Sequence, residues 1–162
     1  MFSLKLFVLL SCLCLNYVYS TTVKNCQTGA QSKASPEDLS AAINIVNCDK
    51  PPCKLVRKTT THIEAKFTPS EDVENLVDSV QAIIGGVPLP FIGVDGSSVC
   101  SKILLASDGS KAECPLKAGT EYIYKDQFDV LAIYPKIQAV VHWALQSDKK
   151  DILCFEVPIK IV

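Results

Sequence analysis

Two histidines and eight cysteines are the residues of this 162-residue chain best suited to acid–base, nucleophilic or redox chemistry. His62 and His142 are the only imidazoles, and each falls in an alternating stretch on the face opposite the apolar residues. That placement predicts solvated strand histidines, and nothing in the sequence invites a nucleophile–histidine pair. Gly-x-Ser-x-Gly, His-Glu-x-x-His, P-loop and Rossmann glycine patterns are all absent, as is EF-hand spacing. Cys48 and Cys53 are close enough to form a small-loop disulfide. The intervening Asp49-Lys50-Pro51-Pro52 is a turn, however, so the pair reads as a structural bridge rather than a redox centre. Zinc is a poor alternative, because there is no pair of Cys-x-x-Cys motifs and the histidines lie far apart. The expectation is a protein that is not an enzyme and carries neither cofactor nor metal.

Not all of the cysteines are expected to belong to the folded domain. Leu6–Leu15 is an apolar run behind a short start with one lysine, Lys5. Val18 and Ser20 then stand at the positions that suit signal-peptidase cleavage after Ser20. The run is too short to span a bilayer comfortably. Residues 1–20 are therefore expected to be a signal peptide, and 21–162 one secreted domain. Cys12 and Cys14 leave with the signal, and six cysteines remain: Cys26, Cys48, Cys53, Cys100, Cys114 and Cys154. Six cysteines in a secreted domain read as three disulfides, with fifteen pairings open.

The elements that must carry this frame are mostly strands. Leu39–Val46, Thr60–Phe67, Ile137–Gln146 and Leu153–Ile161 alternate with period two, and Glu121–Val130 is rich in aromatic and β-branched residues. Asp49–Pro52, Asp95–Ser98, Asp108–Ser110 and Ser147–Lys150 supply turns. The last of these joins the two clearest strands as a hairpin. Short strands with turns between them predict an antiparallel sandwich or barrel. One segment dissents: Val73, Leu76, Val77, Val80, Ile83 and Ile84 follow helical spacing behind the capping Ser70-Glu71-Asp72. Read with period two, the stretch gives Leu76, Asp78, Val80, Ala82 and Ile84, a less clean apolar face. Local signals favour the helix.

The remaining chemistry is apolar recognition. Gly85-Gly86-Val87-Pro88-Leu89-Pro90-Phe91-Ile92 is too rich in glycine and proline for a regular helix and reads as an apolar loop that plugs a core or lines a cavity. Tyr134-Pro135 is a second aromatic–proline step. The formal net charge of −1 argues against nucleic acid, which demands a basic surplus. The 48% of apolar residues argues against disorder.

At these residues the chain resembles a known group. Asn47-Cys48 through Pro52-Cys53, Gly86 through Phe91, Cys114-Pro115-Leu116 into Tyr122-Ile123-Tyr124, and Tyr134-Pro135 occur in a characteristic order. Val140-Val141-His142-Trp143-Ala144-Leu145-Gln146-Ser147-Asp148-Lys149 and Cys154-Phe155-Glu156-Val157-Pro158-Ile159 complete it. Together they resemble the soluble Niemann–Pick type C sterol carriers, within the ML lipid-recognition domain superfamily, over essentially the whole of 21–162. The resemblance implies an immunoglobulin-like antiparallel β-sandwich with an inter-sheet lipid pocket. It implies the bridges Cys26–Cys154, Cys48–Cys53 and Cys100–Cys114, and a strand rather than a helix over Leu76–Ile84. By matching position, Phe91, Val130, Tyr134 and Pro135 would form the pocket entrance. Leu89, Tyr124, Val141, Trp143, Phe155 and Val157 would line its wall.

What the resemblance implies about partners is a sterol or other hydrophobic lipid, with transient contact with membranes or a membrane sterol transporter. Asp95 and Val80-Gln81-Ala82 match parts of that exchange surface, and Lys102 stands where a lysine is usual. The protein is expected to be a monomer. None of Asn25, Asn44, Asn47 and Asn75 opens an Asn-x-Ser/Thr sequon, so the glycan route to lysosomes is missing and extracellular fluid is the expected location. Two other ligand classes remain open: fatty acids or small semiochemicals, and microbial lipids presented to immune receptors.

Overall fold

The computed structural model describes residues 20–26 and 36–162. The expected signal segment, apart from Ser20, lies outside them. Among the described residues no helix is long and apolar enough to cross a membrane. Two sheets stack face to face. The first runs β1 (Lys24–Asn25), β11 (Lys150–Ile161), β10 (Gln138–Ser147), β5 (Val77–Ile84) and β6 (Val87–Pro90), with β3 (Cys53–Leu55) also on β11. The second runs β2 (Ile43–Ile45), β4 (Thr60–Phe67), β9 (Tyr122–Asp129), β7 (Ile103–Leu105) and β8 (Lys111–Ala112). Pairing is antiparallel except for β3, which lies parallel to β11.

The alternating sequences explain the layers. Val141, Trp143 and Leu145 of β10 and Phe155, Val157 and Ile159 of β11 are buried. Opposite residues of an antiparallel pair share a face, and the register Val141↔Val157 and Trp143↔Phe155 puts both sets inward. Ile63, Ala65 and Phe67 of β4 and Tyr122, Tyr124 and Phe128 of β9 meet them from the second sheet. The β10–β11 turn is tight because Asp148 and Lys149 both take positive φ, 48° and 66°, which matches the twist of a two-residue hairpin. Pro158 falls between the parts of β11 that pair with β1 and with β3, where no ladder bond is lost.

Three local readings are corrected. Residues 77–84 form strand β5, not a helix. Val77, Val80, Ile83 and Ile84 are β-branched, and pairing with β10 and β6 outweighs the helical spacing. The stretch 85–92 is not an irregular loop: Gly85 and Gly86, at φ 59° and 84°, turn the chain directly into strand β6. Pro88 and Pro90 are tolerated there because β6 is an edge strand. Finally, Leu39–Val46 is a strand only at its end. A short helix, α1 (Pro36–Ala42), precedes β2. Buried Leu39 and Ile43 stand four apart, a spacing that serves a helix as well as a strand, and Ala41 and Ala42 favour the helix.

Disulfides Cys26–Cys154, Cys48–Cys53 and Cys100–Cys114 span sequence separations of 128, 5 and 14. This is the pairing that the resemblance implies. The first ties the edge strand β1 to β11. The last closes the loop that contains β7 and β8.

Candidate functional site

Aromatic side chains form a connected row through the space between the sheets. At the outer end, Tyr134 packs edge-on to Phe91, with ring centroids 5.7 Å apart. Phe91 meets Phe128 edge-on at 5.9 Å, and Phe128 meets Trp143 at 5.6 Å. Trp143 stacks on Phe155 at 6.3 Å and lies 6.4 Å from the ring of Tyr124. These spacings are those of favourable aromatic pairs. Tyr134 is partly exposed, whereas Tyr124 and Phe155 are fully buried, so the row leads from the surface inward.

The residues assigned by resemblance fall in three places. Phe91, Val130, Tyr124, Val141, Trp143, Phe155 and Val157 are buried in the one core between the sheets. Tyr134 packs against that core from its rim, and Pro135 beside it is exposed. Leu89 stands apart. Its partner in the ladder is inward-facing Ala82, but β6 is an edge strand and Leu89 is 47% exposed. Val130 is fixed by its backbone, whose N–H donates to the Thr59 carbonyl and whose C=O accepts from Lys58.

Exposed apolar residues flank this rim. Ile92 follows Phe91 and is 61% exposed, and Ile133 precedes Tyr134 and is 76% exposed. Val87 and Leu89 on β6 are also exposed. Arg57 approaches the carbonyls of Ala132 and Tyr134 from the neighbouring turn and places a cation beside the patch.

The inner end of the row is polar, which sequence reasoning missed. Asp78 of β5 is 1% exposed. Its carboxylate accepts hydrogen bonds from the Tyr124 hydroxyl at 2.9 Å and from Trp143 Nε1 at 3.1 Å. Asp78 and Trp143 belong to one sheet and Tyr124 to the other, so the carboxylate bridges them. The Tyr124 hydroxyl also lies 2.9 Å from Asp126 Oδ2, which is ion-paired to Lys102 at 2.7 Å. Burial pushes the Asp78 carboxyl up from 3.8 to about 7, with the Asp126 charge adding to the rise; the Tyr124 and Trp143 hydrogen bonds and the Lys102 charge oppose it. Burial also raises the Tyr124 phenol, and the two carboxylates add to that shift. The signal was present in the sequence: an acid interrupting the apolar face Leu76, Val80, Ala82 and Ile84.

Two of the matched exchange-surface positions contact each other. Asp95 accepts from the Val80 N–H at 2.7 Å, capping the part of β5 that β6 does not reach. Of the two histidines, His62 is exposed as expected, but His142 is not solvated. Its ring lies 3.5 Å from Cys26 Sγ and from Cys154 Sγ, and 3.4 Å from Glu156 Oε1. The disulfide that anchors β1 covers it. No nucleophile outside this bridge is placed against His142 among the described contacts.

Comparison with known proteins places this arrangement. The chain is 32% identical to the ecdysteroid-regulated 16 kDa protein of Manduca sexta, over 67% of this chain and 70% of that one. It is 30% identical to the NPC intracellular cholesterol transporter 2 of Bos taurus, over 74% of each. With the Drosophila melanogaster homolog a of that transporter it shares 32%, over 74% of this chain and 77% of the other. The crystal structure of a Niemann–Pick type C2 protein from the Japanese carpenter ant superposes with a TM-score of 0.63 at 27% identity, over 88% of this chain and 95% of that one. The ML domain family matches residues 20–161. The chain belongs to the ML domain family.

Proposed function

We propose that the protein is a secreted, non-enzymatic lipid carrier that binds a sterol between its two sheets and takes part in sterol transport. The observation that carries this reading is the aromatic row, which runs from a partly exposed Tyr134 to buried Trp143 between the two sheets. Parting the sheets along that row would exchange aromatic contacts for contacts with an equally apolar ligand. Enclosing a few hundred Å² of ligand surface at about 25 cal/mol per Å² supplies on the order of 10 kcal/mol before the costs of association. The relatives named as cholesterol transporters favour a sterol over the fatty-acid, semiochemical and microbial-lipid alternatives.

In this reading Phe91, Val130, Tyr134 and Pro135 form the entrance. Tyr124, Val141, Trp143, Phe155 and Val157 form the wall, and Leu89 belongs to the rim rather than the interior. Ile92, Ile133, Val87 and Leu89 form an apolar collar that touches a membrane during transfer, with Arg57 beside it. The test is titration of delipidated protein with a fluorescent sterol. Saturable one-to-one binding is expected, weakened at least tenfold in Phe91→Ala. Absence of saturable binding to the wild type would overturn the proposal.

A further inference from the structure

We infer that Asp78, with Tyr124 and Trp143, forms a polar subsite at the inner end of the ligand site that selects lipids bearing a hydroxyl or protonated amine and disfavours those bearing a carboxylate. The inference deepens the lipid-carrier reading and rests on it. A site meant only for hydrocarbon has no use for a buried carboxylate, because burying such a group costs several kcal/mol unless it is fully paired. Here it sits against Trp143, the ring through which the aromatic row reaches both Phe155 and Tyr124.

A count of donors shows what the cluster lacks. An ionised carboxylate offers about four acceptor sites. Asp78 has two side-chain donors in reach, the Trp143 N–H and the Tyr124 hydroxyl. Asp126 accepts from Lys102 and from the Gln127 N–H, and it too lies within reach of the Tyr124 hydroxyl. That hydroxyl carries one hydrogen for two carboxylates. With both acids ionised the Tyr124 hydrogen can serve only one of them, and the shortfall falls on Asp78 because Lys102 already serves Asp126. A bound proton fills the gap in the absence of ligand, in keeping with the raised affinity of Asp78 for protons. An alcohol hydrogen or an ammonium group would fill it equally well. Above about pH 7, where Asp78 is ionised, a ligand carboxylate would instead add a third negative charge beside Asp78 and Asp126, with only Lys102 to offset it.

The test displaces a bound fluorescent sterol with four straight-chain compounds of one chain length: a primary alcohol, a primary amine, a methyl ether and a carboxylic acid. The alcohol and amine should displace it at concentrations at least about tenfold below the acid, with the ether, which has no donor, between them. In Asp78→Asn the spread should shrink to within about threefold. Equal displacement by all four in the wild type, or an unchanged spread in Asp78→Asn, would overturn the inference while leaving the carrier reading intact. Failure of the sterol itself to bind would overturn that reading instead. A second measurement needs no variant. Lowering the pH from about 8 to about 5 protonates Asp78, which faces Tyr124 and Asp126 of β9, Trp143 of β10 and, through Asp126, Lys102. The amine's advantage over the ether should fall severalfold, and a constant ratio would contradict the subsite.

Discussion

Replacing Asp78 with asparagine should change how stability depends on pH more than it changes stability at any one pH. The folded-state carboxyl titrates at about 7, against 3.8 when unfolded. Between those values the native protein binds a proton that the unfolded chain does not. Stability contributed by this group is therefore complete below about pH 4 and is lost as pH rises through 7. The difference of about three pH units corresponds to at most about 4 kcal/mol. Asparagine is nearly isosteric: its oxygen can still accept from Trp143 or Tyr124, and it has no charge to bury. Urea unfolding at about pH 4.5 and about pH 8.5 reads the effect. At an m-value of about 2 kcal/mol/M, the wild-type midpoint should fall relative to the variant's by up to about 2 M between the two conditions. Asp72 and Asp108, held low chiefly by the N–H groups of Ala118 and Ser110, stabilise in the opposite sense as pH rises. They are common to both proteins and cancel in the comparison. Parallel pH profiles for wild type and Asp78→Asn would refute the buried-carboxyl account.

Other consequences concern the frame and the rim. Cys26→Ser removes the bridge of separation 128, so chain entropy predicts a loss of about 4–5 kcal/mol, read by chemical denaturation, together with reduced secretion. Val130→Asp should unfold the protein rather than merely empty the site, because Val130 is 0% exposed; Phe91→Ala, at about 3 kcal/mol, is the tolerable probe of the entrance. Joint replacement of Ile92 and Ile133 by aspartate should leave the unfolding free energy within about 0.5 kcal/mol of wild type and slow sterol transfer between vesicles.

Much of this fold was legible because the strands of a two-layer sandwich alternate cleanly. β4, β9, β10 and β11 each present one apolar face, and the Ser147–Lys150 turn marks the central hairpin. Elsewhere local chemistry was ambiguous. β5 combines helical spacing with β-branched residues, and only its partners β10 and β6 decide between the two. Gly85-Gly86 and the prolines of β6 signalled irregularity where they in fact build a tight turn and an edge strand. The entrance and wall residues came from resemblance, since period two shows which residues face inward but not which aromatic rings meet across the sheets. Asp78 was visible as a flaw in an apolar face; its partners Tyr124 and Trp143, 46 and 65 residues away, were not. His142 was misjudged for a similar reason: on the outer face of β10, it is covered by the Cys26–Cys154 bridge, which no periodicity reports.

The central claim, that a lipid lies between the sheets against the aromatic row, has a built-in probe. Trp143 is the only tryptophan in the chain and lies within that row. Titrating delipidated protein with an intrinsically fluorescent sterol while following Trp143 emission should give saturable quenching with energy transfer to the sterol at one-to-one stoichiometry. Trp143 emission that stays unchanged while the sterol binds would place the ligand elsewhere and contradict the account.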